Sequence, residues 1–278
     1  STSAACVSAR SRRMDTQMLQ KISVGKCQQG FFLLWRCKIA QRALRVLNLK
    51  MNTLLIIDTS SMHCAVALQR GDVLLERVSE VQRQSAQRVL PMICELLLEA
   101  KIQLGDIDII AVVAGPGSFT GVRIGVAVAQ GLSMSAAIPV VPLSSLALLA
   151  IATVSESSFD RVLVSEEARE GELYFAAYQF SDRQGVELVG REQVALIENL
   201  RALPEDSADA SWCLAGNGWQ RQSEILQHLG CTAAAEPQIP VIGNQLIAKL
   251  ALLRFNCGEA VDAAALRPNY VKEHLDYT

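Results

Sequence analysis

Four stretches of this chain carry residue types that do chemistry. Asp58-Thr59-Ser60-Ser61 ends an apolar run with a carboxylate and three hydroxyls. A strand-end Asp beside hydroxyls can bind a metal-nucleotide phosphate in a two-lobed cleft; a terminus whose Asp and Ser satisfy a turn is the plainer alternative. Gly115-Pro116-Gly117-Ser118-Phe119-Thr120-Gly121-Val122-Arg123-Ile124-Gly125 places glycines at a helix start, where backbone N–H groups can hold an anion. It lacks the G-x-x-x-x-G-K-[ST] pattern and contains no Lys, so it is not a P-loop. Glu166-Glu167-Ala168-Arg169-Glu170-Gly171-Glu172 clusters carboxylates that could share acid and base work if their pKa values were split. Flanked by strand patterns, it reads more simply as a solvated hairpin turn. Gly216-Asn217-Gly218-Trp219 suits contact with a base or ribose, or a strand-to-helix turn.

No nucleophile triad or dyad can be read from spacing. His63 adjoins Cys64, but neighbours on a strand point to opposite faces. The three His (His63, His228, His274) are far apart, so no local zinc pattern exists. None of the eight Cys forms a C-x-x-C pair, and the five beyond residue 50 lie in apolar stretches. Buried free thiols in a reducing compartment are expected rather than a disulfide framework.

The elements that position these residues follow from periodicity. Thr53–Asp58 reads as a buried strand, and Cys64–Leu68 with Val73–Val78 as a hairpin about Gly71-Asp72. Val89, Leu90, Ile93, Leu96, Leu97 and Ala100 recur at helical spacing within 85–102, with Pro91 expected near the helix start or at a kink. A strand over 107–113 leads into the glycine stretch, followed by a helix over 118–137, a short strand at 139–142 and a helix over 144–154. The order β-β-β-α-β-α-β-α suits a mixed sheet with helices packed on it. A polar stretch near 155–160 marks a lobe boundary, giving lobes at 51–157 and 158–278. Strands at 161–164, 172–178 and 211–215 and helices at 219–229 and 243–257 are expected in the second.

Gly117, Gly121, Gly125, Ala129, Ser133 and Ala137 recur every fourth residue and so form a stripe along one helix face. A stripe without bulky side chains lets another backbone approach closely. It suits packing against the protein's own sheet or docking of a partner helix.

The formal net charge of -2 hides a split. Residues 1–50 hold ten basic side chains against one acidic, whereas the remaining 228 residues hold 16 against 27. The acidic body excludes broad electrostatic capture of nucleic acid. With 50% hydrophobic and 19% charged residues, the body is not disordered. Residues 1–50 have the composition of an organellar transit peptide. They equally suit an extension translated from upstream of the true start, since residue 1 is Ser and Met51 directly precedes the first strand; a basic surface helix at 36–49 is a third reading. Residues 124–154 carry no charge, but Pro139 and Pro142 cut the run, so a buried unit is expected rather than a membrane span.

Several stretches in one order resemble the bacterial TsaB (YeaZ) family: Ile57-Asp58-Thr59-Ser60, Gln87-Arg88-Val89-Leu90-Pro91-Met92, the whole of 115–125, Ala129-Gln130-Gly131-Leu132, Ala168-Arg169 with Glu172-Leu173-Tyr174, Gly216-Asn217-Gly218-Trp219, and Arg267-Pro268-Asn269-Tyr270-Val271. The likeness spans roughly 51–272, and 115–125 is its most specific part. The resemblance implies an α/β, actin-like and hexokinase-like (ASKHA) two-lobed fold with RNase H-like lobes. It implies a role in making threonylcarbamoyladenosine beside the anticodon of tRNA. There TsaC makes a threonylcarbamoyl-adenylate and TsaD, a paralogue of TsaB, transfers the group. TsaB holds TsaD in working form, and TsaE, an ATPase, joins them.

The resemblance further implies a non-catalytic subunit in the cytoplasm, or in an organelle if residues 1–50 are a transit peptide. The TsaD family's metal-binding H-x-x-x-H falls on Leu143–Leu149 here, where Ser145 and Leu149 cannot supply neutral nitrogen ligands. No intrinsic cofactor is expected, with ATP or ADP and Mg entering only in the complex. Asp58, Thr59 and Ser60 are the candidate nucleotide residues. The helices over 85–103 and 118–137 are the expected interface with TsaD or a second copy, through Arg88, Met92, Gly121, Arg123, Gly125 and Ala129. Contact with tRNA is expected to be indirect. Ser85 stands where the family often has His, and Glu167 where it has Asp before Ala-Arg.

Overall fold

The computed structural model describes residues 52–79, 85–157, 159–204 and 211–271. The readings of residues 1–50 lie outside this range. Among the described residues no helix is long and apolar enough to cross a membrane.

The first sheet takes β1 (Thr53–Asp58), β2 (Cys64–Arg70), β3 (Val73–Ser79), β4 (Ile109–Gly115) and β5 (Val140–Ser144) in the order β3-β2-β1-β4-β5. The first three strands form an antiparallel meander, while β4 and β5 continue parallel from β1. β1 and β4 are central, so both their faces are covered and they read as unbroken apolar runs. The second sheet takes β6 (Arg161–Glu167), β7 (Leu173–Ser181), β8 (Gly185–Ala195), β9 (Ser211–Ala215) and β10 (Thr232–Ala233) in the order β10-β9-β6-β7-β8. Counted from β6, this is the same arrangement: an antiparallel meander β6-β7-β8, then parallel β9 and β10. The two lobes thus repeat one topology.

α1 (Ser85–Ala100) and α2 (Phe119–Ala136) cover one face of the first sheet. α1 docks through Val89, Met92, Ile93 and Leu96, one helical stripe. Pro91 lies inside α1, with Ser85–Leu90 already helical before it. An interior Pro costs about 3 kcal/mol. Four buried apolar side chains at roughly 2 kcal/mol each outweigh that. Arg77 on β3 pairs with Glu95 and Glu99, fastening the sheet edge to α1 from outside.

α3 (Ser145–Glu156) and α5 (Asn244–Asn256) lie between the sheets, and one core joins Ile56 and Val141 of the first lobe to Val164 and Ala176 of the second through Ile151 and Leu250. α4 (Gln222–Leu229) packs on the far side of the second sheet around Trp212 and Phe175. After α5 the chain returns to the first lobe: Val261 bridges Val140, Leu266 enters that lobe's core, and the Asn269 N–H donates to Ala114 O at 2.8 Å. A single cut near 157 therefore marks the end of α3 without assigning every later residue to the second lobe.

β8 and β10 extend the second sheet beyond the strands expected from sequence. Cys64, Cys213 and Cys231 are buried as expected. Cys94 departs from that expectation, because it lies on the exposed side of α1.

Candidate functional site

Each lobe opens on the cleft with the same device, a first-strand end locked against a glycine turn. In the first lobe β1 runs into Asp58-Thr59-Ser60. The Ser118 N–H donates to Ser60 O at 2.7 Å, and Thr59 Oγ1 donates to Gly121 O at 2.7 Å. A Cβ at Gly117 would stand 2.4 Å from Ser60 O, at Gly121 2.0 Å from Thr59 O, and at Gly125 2.4 Å from Thr59 Oγ1. Glycine at every fourth position lets α2 lie flush on the end of β1. In the second lobe the Gly218 N–H donates to Ser165 O at 2.8 Å, and a Cβ at Gly216 would stand 2.2 Å from that oxygen.

The docking-face reading of the stripe is therefore corrected. Gly121, Gly125 and Ala129 are buried against the protein's own sheet, and Met92 is core as well. Of the six residues expected at an interface, Arg88 and Arg123 are exposed. Arg123 turns toward the C-terminal stretch, its guanidinium 3.5 Å over the Phe119 ring and its Nε donating to the Tyr270 hydroxyl at 2.9 Å. The anion-cradle reading of 115–121 is narrowed too. The Ser118 N–H is taken by Ser60, and the Gly121 N–H donates to Ser118 Oγ at 3.3 Å as a helix cap.

Between the two devices lies a cavity of about 550 Å³, walled by Asp58, Ser60, Ser118 and Thr120 from one lobe and by Glu166, Glu167 and Arg169 from the other. Asp58 Oδ1 accepts from the Ser60 N–H at 2.9 Å and from Ser60 Oγ at 2.7 Å. Burial pushes its carboxyl above the usual range, against the pull of those bonds. Glu166 accepts from the Asn217 N–H at 3.0 Å; burial raises its carboxyl, that bond lowers it, and the neighbouring Glu167 charge raises it. Glu166 and Glu167 end strand β6 and face the cleft, so the solvated turn expected over 166–172 is confined to 168–172.

Ser145 Oγ donates to Pro116 O at 2.5 Å, and Leu149 lines the cavity with its alkyl side chain. Neither is a nitrogen ligand, and among the described residues no three His, Cys, Asp or Glu side chains gather as a metal-holding group.

Sequence reasoning missed a second polar centre behind the cleft. Glu192 on β8 accepts from Ser144 Oγ, from the Tyr178 hydroxyl and from Asn269 Nδ2. The three donors come from the first lobe, the second lobe and the returning C-terminal stretch. An acidic residue in an unrecognised strand gave no local signal.

Two lobes of one topology facing across a cleft define the actin-like and hexokinase-like class of fold. A family model described as TsaD, tRNA N6-adenosine threonylcarbamoyltransferase, matches residues 78–245. The Escherichia coli tRNA threonylcarbamoyladenosine biosynthesis protein TsaB is 30% identical over 223 residues, 80% of this chain and 95% of that protein. The Bacillus subtilis protein of the same name is 35% identical over 155 residues, 55% of this chain and 66% of that one. A crystal structure of a Pseudomonas aeruginosa protein described as similar to peptidase YEAZ superposes with a TM-score of 0.67 at 37% identity, over 80% of this chain and 100% of that one. The chain belongs to the TsaB (YeaZ) family.

Proposed function

We propose that this chain works in tRNA threonylcarbamoyladenosine biosynthesis as the non-catalytic partner of a TsaD-type transferase, with TsaE joining the assembly and TsaC supplying the activated group. Family membership supports the pathway. The partner role rests on one observation, the outward side of α1 and α2. Leu90, Cys94 and Leu98 form an exposed stripe on α1, with Leu98 78% exposed. On α2 the outward residues include Ala127, Gly131 and Met134, the last also 78% exposed. Apolar side chains left this open on two adjacent helices are the kind of surface another protein covers. The glycines of the every-fourth stripe hold α2 on its own sheet, and this leaves Ala127 and Gly131 facing out.

Reconstitution tests the reading. Threonylcarbamoylation of tRNA by TsaC, TsaD and TsaE is expected to need residues 51–278 of this chain; full activity without it would remove the function.

A second reading, a nucleotide-dependent phosphotransferase, draws on the carboxylates that both lobes bring to the cleft, Asp58 and Glu166. A phosphate clamp is weak there, since among the described residues Arg169 is the one basic side chain lining that cavity. Calorimetry with ATP and magnesium separates the two. Binding and turnover by this chain alone, lost in Asp58→Ala, would favour the enzyme.

A further inference from the structure

We propose that a second cavity, at the rim of the cleft, is a nucleotide site that takes a flat base and its phosphate. This goes beyond the partner role; the cavity adjoins the cleft floor, sharing Phe119, Arg169 and Tyr174 with it, but its lining includes Arg123 and Tyr270 in place of Asp58. The cavity measures about 500 Å³, within the range of small-ligand sites. Phe119, Arg123 and Tyr270 form one wall; Arg169 and Tyr174, from the β6–β7 hairpin, stand on the other.

The first wall is a built platform. The Arg123 guanidinium lies 3.5 Å from the Phe119 ring centroid and 5.5 Å from that of Tyr270, and its bond to the Tyr270 hydroxyl fixes all three groups. Yet Phe119 is 48% and Tyr270 56% exposed. Two large rings held in place and left open to solvent supply the stacking surface that unpaired bases use, and a guanidinium plane adds to it.

The opposite wall supplies charge. Arg169 opens a two-residue turn whose central residues, Glu170 and Gly171, have φ of 57° and 79°, closed by the Glu172 N–H donating to Arg169 O at 3.0 Å. Such a turn matches the twist of the flanking strands and so fixes the backbone that carries Arg169. Among the described residues the Arg169 guanidinium has neither hydrogen-bond nor ion-pair partner. It is a free fork suited to phosphate oxygens.

Glu170 and Glu172 line the same cavity, so a bare anion meets both signs. A nucleotide does not suffer from this. Its phosphate can pair with Arg169, while an exocyclic amino group, as on adenine or cytosine, donates to a carboxylate. The mixed lining therefore favours amine-bearing bases over uracil and disfavours inorganic phosphate. The same chemistry is offered by a free nucleotide and by an unpaired nucleotide of an RNA strand.

Isothermal titration of the full chain with AMP, UMP, inorganic phosphate and the oligoribonucleotide A6 tests the site. AMP is expected to bind several-fold tighter than UMP, and phosphate to bind weakest. Arg169→Ala and Tyr270→Leu should each weaken AMP by about tenfold or more, the worth of a charge-assisted phosphate contact or one stacked base. Both side chains are exposed, so neither change empties the core. A6 binding tighter than AMP assigns the site to RNA; equal or weaker binding assigns it to free nucleotide. The proposal is overturned if neither AMP nor A6 binds at millimolar concentration, or if binding survives both substitutions. It also falls if binding is lost in Asp58→Ala and kept in Arg169→Ala, which moves the ligand to the cleft floor. Because no partner protein is present, these outcomes are independent of association with TsaD.

Discussion

Gly121 meets Thr59 so closely that a Cβ on the glycine would stand 2.0 Å from the threonine carbonyl oxygen, while Thr59 Oγ1 donates to Gly121 O at 2.7 Å. A helix and a strand end are thereby locked backbone to backbone at the mouth of the cleft. Ser165 and Gly218 make the counterpart lock in the second lobe. The strand ends that carry Asp58 and Glu166 are each held against a glycine turn.

Gly121→Ala should therefore destabilise the protein although it adds only a methyl group. The nearest atom is backbone and cannot rotate away, so α2 must shift. Overpacking of this kind costs about 1–3 kcal/mol. A fall of that size in urea-unfolding free energy is the expected result. Gly131→Ala is the control, because nothing lies within 4 Å of the Cβ it would gain. Equal stabilities for the two variants would show that the close approach carries no weight.

Much of this fold was legible in sequence where burial is complete on both faces. β1 and β4 are unbroken apolar runs, and α1 shows its buried stripe through Val89, Ile93 and Leu96 despite Pro91. β8 was not legible, because from Glu187 onward its residues are exposed or half-buried without alternation and offer no apolar run. The small-residue stripe was visible as a pattern, but spacing cannot say which neighbour presses on it; here that neighbour is Thr59. The Asp58 end of the cleft was readable. Glu166 stood out only as one of a carboxylate cluster, its place facing the cleft being hidden, and Glu192 gave no signal, since both owe their surroundings to segments far away in sequence.

The outward sides of α1 and α2 give the next prediction. Leu98→Glu, or Gly131→Arg, should cut co-purification with a TsaD-type partner at least about tenfold, since burying one large apolar side chain is worth roughly 1.5–3 kcal/mol. Both positions are exposed, so thermal unfolding of the free chain should stay within about 0.5 kcal/mol of the parent. Undiminished capture by both variants would take these helices out of the interface.

Asp58 supplies a pH test. Its folded-state carboxyl is raised by burial, so the folded protein holds this proton more tightly than the unfolded chain does. Stability from this group is greatest below the unfolded value of about 4 and is lost as pH rises through the raised folded value. Asp58→Asn removes the ionisation and keeps an oxygen for the two Ser60 donors. The variant should gain stability relative to the parent as pH rises from about 4, the gain levelling off above the raised value. A difference curve that is flat with pH, or that slopes the other way, would contradict the buried-charge account.

Glu192 is the strongest test of how the lobes are joined. Its carboxylate holds Ser144 at the start of α3, Tyr178 in the second sheet, and Asn269, whose own N–H is bonded to Ala114 O at 2.8 Å in the first sheet. Tyr178 is almost wholly buried, and burial together with the Glu192 charge pushes its phenol well above the usual range, so it remains a neutral donor. Glu192→Ala removes the acceptor shared by Ser144 Oγ and the buried Tyr178 hydroxyl, and leaves the Asn269 amide only a 3.5 Å contact with Gly115 O. Each unsatisfied buried group costs about 1–3 kcal/mol, and a loss of about 3 kcal/mol in urea unfolding is expected. Glu192→Gln keeps an acceptor for Ser144 and Tyr178 but turns an amide donor toward Asn269, so its loss should be nearer about 1 kcal/mol. A merely space-filling Glu192 would make the two variants alike. Hydrogen exchange separates the clasp from general loosening: in Glu192→Ala, faster exchange should centre on the Asn269 amide and the start of α3 and spare β2 and β3.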